Sequence, residues 1–187
     1  MGKVNINFKK VVNSNKAFQK KAESAIKEKY LESKQNFLEN FDAHPISQEI
    51  SAGETASNSS GTLNGVGNLF SFIGFNRGSD PIGELRQKLL QKFMFKKSTT
   101  GDKLKFIISF PTLDKLKSDT PMPWEAGNSW LAGIERGISG FSFYMYKKFV
   151  EGRSGEALQS KNKVRSSVYK RTKYITELVE KFMKDIK

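Results

Sequence analysis

A chain of 187 residues, 37% hydrophobic and 12% aromatic, is long enough to bury a core and too apolar for a disordered segment, so one domain spanning 1–187 with extensions is expected. The absence of cysteine excludes disulfides, thiolate metal sites and thiol nucleophiles, and a lone histidine, His44, excludes a paired-imidazole zinc site. The formal charge of +13 invites a polyanionic partner, but lysine carries most of it, whereas phosphate and base readers lean on the bidentate fork of arginine.

In chain order, KVNINF alternates Val4, Ile6 and Phe8 with polar neighbours and predicts a short strand. From about Ser14 to Phe41 the apolar positions Phe18, Ala22, Ile26, Tyr30, Phe37 and Phe41 recur near four-residue steps with no proline or glycine, predicting a long helix whose lysine-rich opposite face is solvated. Asp42 to Asn58 falls into turn formers and small polar residues, with Ile46 and Ile50 alone offering anything to bury, and reads as an excursion from the core. Asp80 then caps a second helix with Pro81 at its first position and Ile82, Leu85, Leu89 and Phe93 as its buried stripe.

KFMFKKSTTGDKLKFIISF predicts a hairpin around a glycine-containing turn, with Leu104, Phe106, Ile108 and Phe110 on one face and Pro111 ending it. TLDKLK predicts one or two helical turns, and Pro121 and Pro123 an extended path into Trp124. Trp130, Ile134 and Ile138 fit a helical turn, and Phe141, Phe143 and Met145 a strand after it. A polar loop from Glu151 to Arg171 leads to a last helix near Thr172, with Ile175, Leu178, Val179, Phe182 and Ile186 as its stripe. The expected fold is α+β: a small antiparallel sheet packed against a long N-terminal helix and a C-terminal helix, with an extended hairpin or loop arm.

Motifs for chemistry are sparse. Gly65-Val66-Gly67 begins like a dinucleotide fingerprint, but Phe70 stands where a small residue must let helix and sheet approach, and no P-loop pattern occurs. His44 sits in a turn before Pro45, and Glu49, Glu54, Glu135 and Glu151 are scattered, so neither a Ser/His/Asp triad nor a carboxylate pair is indicated. The expectation is a non-enzyme with no catalytic, cofactor-binding or metal-ligating residues. MGKVNINFKK lacks a signal-peptide core, and the longest apolar run, NLFSFIGF, falls far short of the about 20 residues that span a bilayer, which points to a soluble protein without a membrane partner. The densest basic stretch, KNKVRSSVYKRTKY, makes Lys161, Lys163, Arg165, Lys170, Arg171 and Lys173 the candidates for non-specific contact with DNA, and a basic DNA-associated accessory protein is the alternative function.

NLFSFIGF packs Leu69, Phe70, Phe72, Ile73 and Phe75 into a segment bracketed by glycines. Folded onto its own domain it would supply strands or a hairpin; projecting, it would expose an apolar patch that needs an obligate neighbour. The reading favoured here makes 44–79 an assembly arm with those five side chains as the oligomer interface.

The order of features, with WLAGIERGISG and KRTKYITELVEKF, resembles the tail-completion or neck proteins of tailed bacteriophages. Glu135, Gly137 and Gly140 match that family's Glu and Gly before a return strand, and Tyr174 with Ile175 match the aromatic that opens its last helix. The 44–79 block is longer than the family's hairpin loop, and Arg171-Thr172 replaces its Arg-Pro. The resemblance implies a structural virion protein, assembled in the host cytoplasm into a homo-oligomer with six-fold symmetry at the head–tail junction, in contact with other neck, portal-adaptor or tail proteins.

Overall fold

The computed structural model describes residues 1–8, 16–63, 67–100, 103–123, 125–136 and 172–186. Strand β1 (Gly2–Phe8) precedes helix α1 (Lys16–Ala43), which at about 1.5 Å per residue runs about 42 Å. The burial of α1 is concentrated at Tyr30, Ser33, Phe37 and Phe41, one stripe at helical spacing. Earlier in the predicted stripe Ile26 is only half-buried and Phe18 is 45% exposed, so the helix contributes to the core through its C-terminal half.

The predicted hairpin is present as β2 (Met94–Thr100) and β3 (Lys103–Phe110). β1 adds to the other side of β3, giving an antiparallel sheet of order β1-β3-β2 with Val4 and Phe95 both opposite Ile108. Period-two alternation sends Leu104, Phe106, Ile108 and Phe110 inward, all buried. Gly2 lies opposite Phe110, and a Cβ there would stand 2.3 Å from the ring, so the close approach of β1 requires glycine.

Helix α2 (Pro45–Ser51) occupies part of the stretch expected to leave the core. Pro45 supplies the preset φ of its first position, the His44 side chain caps it, and Ile46, Ser47, Glu49 and Ile50 are buried. A 3-10 turn at Gly53–Thr55 follows. Leu69–Ile73 is helix α3, capped by Asn68 Oδ1 accepting from the Ser71 N–H (2.9 Å) and closed by Gly74 at φ 81°. Gly74 N–H reaches the Ser71 carbonyl and Phe75 N–H the Phe70 carbonyl (3.1 and 3.2 Å), the Schellman pattern for which a left-handed glycine is suited.

That geometry corrects the assembly-arm reading of 44–79. Leu69, Phe70, Phe72, Ile73 and Phe75 are 0, 2, 3, 0 and 6% exposed, and they belong to the same hydrophobic core as the sheet and the long helix. Gly74 terminates a helix and turns Phe75 back inward, where its ring lies 5.5 Å from Phe70 and 5.6 Å from Trp130. The five side chains are interior, and in this fold they are not an oligomer interface.

Helix α4 (Pro81–Lys92) matches expectation, with Asp80 Oδ1 accepting from the Gly83 N–H (2.8 Å) and Ile82, Leu85 and Leu89 buried. After β3 come the turn α5 (Leu113–Leu116), the ribbon β4 (Pro121–Met122) with β5 (Glu125–Ser129), and helix α6 (Trp130–Arg136), whose first turn is capped by Ser129 Oγ accepting from Ala132 N–H. The predicted strand at Phe141, Phe143 and Met145, the position of Ile138 and the loop at 151–171 lie outside the described residues. Helix α7 (Ile175–Ile186) returns along α1 with Ile175, Leu178, Phe182 and Ile186 buried. Phe37, Phe93, Phe110 and Phe182 join α1, the residue that follows α4, β3 and α7 at ring separations between 5.1 and 6.2 Å. Burying each such ring stabilises by about 1.5–3 kcal/mol, and the edge-on pairs add about 0.5–1.5 kcal/mol.

Candidate functional site

The ionisable and hydroxyl side chains that reach the interior are the first places to look for chemistry. Glu49 projects from α2 at 1% exposure, where an unpaired carboxylate would be costly. Its Oε1 accepts from the Leu69 N–H and its Oε2 from the Ser60 N–H, both at 2.8 Å. Leu69 opens α3, so the carboxylate satisfies a donor that the helix itself leaves orphaned. Asn68 Nδ2 donates to the Glu54 carbonyl (2.8 Å), and the Glu54 carboxylate pairs with Arg77 at 2.6 Å. The glycine-rich segment is thus tied to α2 through Glu49 and to the 3-10 turn after it through Glu54.

Glu135, on α6, is 8% exposed, and its Oε1 accepts from the Tyr174 N–H (3.1 Å) and the Thr176 N–H (2.9 Å). The charge sits against the positive end of α7 and supplies its cap from a distant element. Tyr174 is fully buried, stacked on Phe41 at 5.9 Å, and its hydroxyl shares a 2.5 Å hydrogen bond with Ser47 Oγ. Burial, opposed by that bond, pushes its ionisation far above the usual phenol range. His44 lies 4.6 Å from the Tyr174 ring, and its Nδ1 accepts from the Ile46 N–H (3.2 Å). Burial lowers its pKa below 6.5, against the opposing pull of Glu177 and Glu135.

His44, Ser47, Tyr174 and Glu135 are therefore close together, but each is bound to a structural task. Ser47 is 1% exposed with its hydroxyl bonded to Tyr174, and the imidazole nitrogen that would act as base already receives a backbone proton donor. An open groove of about 190 Å³ lies elsewhere, between the start of α4 and the β4 ribbon, lined by Phe75, Pro81, Leu85, Pro121 and Trp130 with Glu84 and Asp119 at its edge. Among the described residues no group of His, Asp and Glu is placed to hold a metal ion, and no helix is long and apolar enough to cross a membrane.

Of the candidate DNA-contacting residues, Lys161, Lys163, Arg165, Lys170 and Arg171 lie outside the described residues. Lys173 is exposed and pairs with Glu180 at 3.2 Å. A different basic surface emerges on the outer face of the sheet, where Lys3, Lys96 and Lys105 stand on β1, β2 and β3 with Asn5 and Ser98 between them. Lys3, Asn5 and Lys96 are exposed, Met94, Ser98, Lys105 and Ile107 are half-buried, and Ser109, opposite Lys3, is buried. Part of the signal for this face was already in the alternation of KVNINF, whose polar positions share one side once Val4 and Ile6 turn inward; MFKKSTT carries no such alternation, since Lys97 falls on the inner register and Met94 on the outer. No protein-family model, curated protein or solved structure matches this chain.

Proposed function

We propose that the chain is a non-enzymatic structural subunit of a bacteriophage virion, forming a ring with copies of itself at the head–tail junction beside other neck or tail proteins. The observation that carries this reading is the Glu135 carboxylate bound to the backbone at Tyr174 and Thr176. It joins the two segments on which the resemblance rests, GIERGISG and KRTKYITELVEKF, and it uses a buried charge to fix the last helix rather than to meet a substrate. Glu49 does the same for α3. Polar side chains committed to backbone donors suit a subunit that must keep its shape within an assembly.

The interior placement of Leu69, Phe70, Phe72, Ile73 and Phe75 removes the apolar arm from the proposal, so contacts between subunits fall to the domain's surface. Native mass spectrometry of the full chain, with images of negatively stained particles, is the test. A closed ring of identical subunits is the expected species. A single-chain mass across a concentration series, with no rings in the images, would overturn the proposal.

A further inference from the structure

We propose that the outer face of the three-stranded sheet is a docking surface for duplex DNA, held through its phosphate backbone by Lys3, Lys96 and Lys105. Register fixes their arrangement. Lys3 stands opposite Ser109, Lys96 opposite Ile107, and Lys105 is on the central strand between Asn7 and Ser98. With strands about 4.8 Å apart and two-residue steps of about 6.8 Å, the three lysines root about 8–14 Å from one another. That spread matches about two to four nucleotides at about 3.4 Å each along one DNA strand.

Among the described residues no carboxylate stands on this face. The strands β1, β2 and β3 contain no aspartate or glutamate, and Asp102, between β2 and β3 in sequence, lies outside the described residues. Several cations off this face do have carboxylate partners: Lys97, on the inward register of β2, pairs with Glu23, Lys92 with Asp119, and Arg86 with Asp42. Lys3, Lys96 and Lys105 have no carboxylate partner among the described residues.

The chemistry of the face selects among polyanions. Single-stranded nucleic acid needs aromatic side chains on which bases stack, and the described side chains of this face include none. A protein partner needs a large apolar or aromatic anchor at the centre, where this face offers only the half-buried Ile107 and Met94. Duplex phosphates need only cations and short polar donors, and Lys3, Lys96 and Lys105 with Asn5 and Ser98 supply them. Contact of this kind is independent of base sequence and does not depend on the ring assignment.

The test is fluorescence anisotropy of a labelled duplex of about 30 base pairs, titrated with the full chain between about 50 and 200 mM salt. Replacing Lys3, Lys96 and Lys105 together by Gln is expected to weaken binding at least tenfold near 0.1 M salt and to lower the log–log salt slope by about 2.7. Lys96→Gln alone is expected to lower it by about 1. The same charge removal on the exposed side of α1, with Lys20, Lys21 and Lys29 changed to Gln, is expected to leave the slope near that of the unmodified chain. Circular dichroism and the melting temperature verify that each variant is folded. The proposal is overturned if the unmodified chain fails to bind the duplex, if it prefers single strands, or if the triple sheet variant binds as tightly as the parent. It is also overturned if the α1 variant, or one lacking the 161–173 cations, accounts for the loss instead.

Discussion

Glu135 is where the chain's third quarter and its last helix are made to agree. Removing its carboxylate leaves the Tyr174 and Thr176 N–H groups without their acceptor in a buried setting. Glu135→Ala is therefore expected to cost about 2–4 kcal/mol in urea denaturation, while Glu135→Gln, which keeps an acceptor oxygen, costs about 1 kcal/mol. An equal cost for both variants would remove the hydrogen bonds as the cause. His44 makes a second prediction because its cap works only when Nδ1 is unprotonated. The folded-state pKa is lowered from 6.5, so the stabilisation is fully present above about pH 6.5 and is lost as the pH falls through the lower folded value. His44→Asn retains a capping oxygen without the titration, and the stability difference between it and the parent is expected to shift in favour of the variant below pH 6.5. A difference that stays constant from neutral to mildly acidic pH would dismiss the imidazole as the source.

Helix α3 carries the largest correction and the clearest stability prediction. Phe70 is 2% exposed, so Phe70→Asp places an unpaired carboxylate in the core as well as deleting a ring. The expected result is loss of the cooperative unfolding transition and of far-ultraviolet helical signal, since the cavity alone costs about 3–5 kcal/mol. A well-folded Phe70→Asp monomer with unchanged ellipticity would contradict the packing described here. The contrast with α4 explains what could be read from residues alone. Asp80-Pro81 and the stripe Ile82, Leu85 and Leu89 make α4 legible, and the alternation of Leu104, Phe106, Ile108 and Phe110 makes β3 legible. Helices α2 and α3 have seven and five residues, too few for a period to register, and glycines beside them read equally as hinges or as helix ends. Their terminating role depends on backbone partners such as Phe70 and Ser71, which a residue list does not reveal. Glu49 and Glu135 were hidden for the same reason: their partners are main-chain donors 11 to 41 residues away.

Taken whole, the described domain is an α+β body whose sheet turns one face to the aromatic core and the other, lysine-bearing, outward. The net charge of +13 is thus partly organised by the fold, since the alternation that turns Val4, Ile6 and Phe95 toward the core also places Lys3 and Lys96 on the opposite side. The sheet's central strand takes its two neighbours from very different distances in sequence: β2 from just before it, β1 from the far side of α1, α2, α3 and α4. Closing that gap is entropically expensive and slows assembly of the native state. During synthesis β1 has no strand to join until Phe110 has left the ribosome, and Phe37 lacks one of its ring partners until Phe182 follows. The aromatic core therefore closes in two stages, around Phe93 and Phe110 first and around Phe182 only when the last helix emerges.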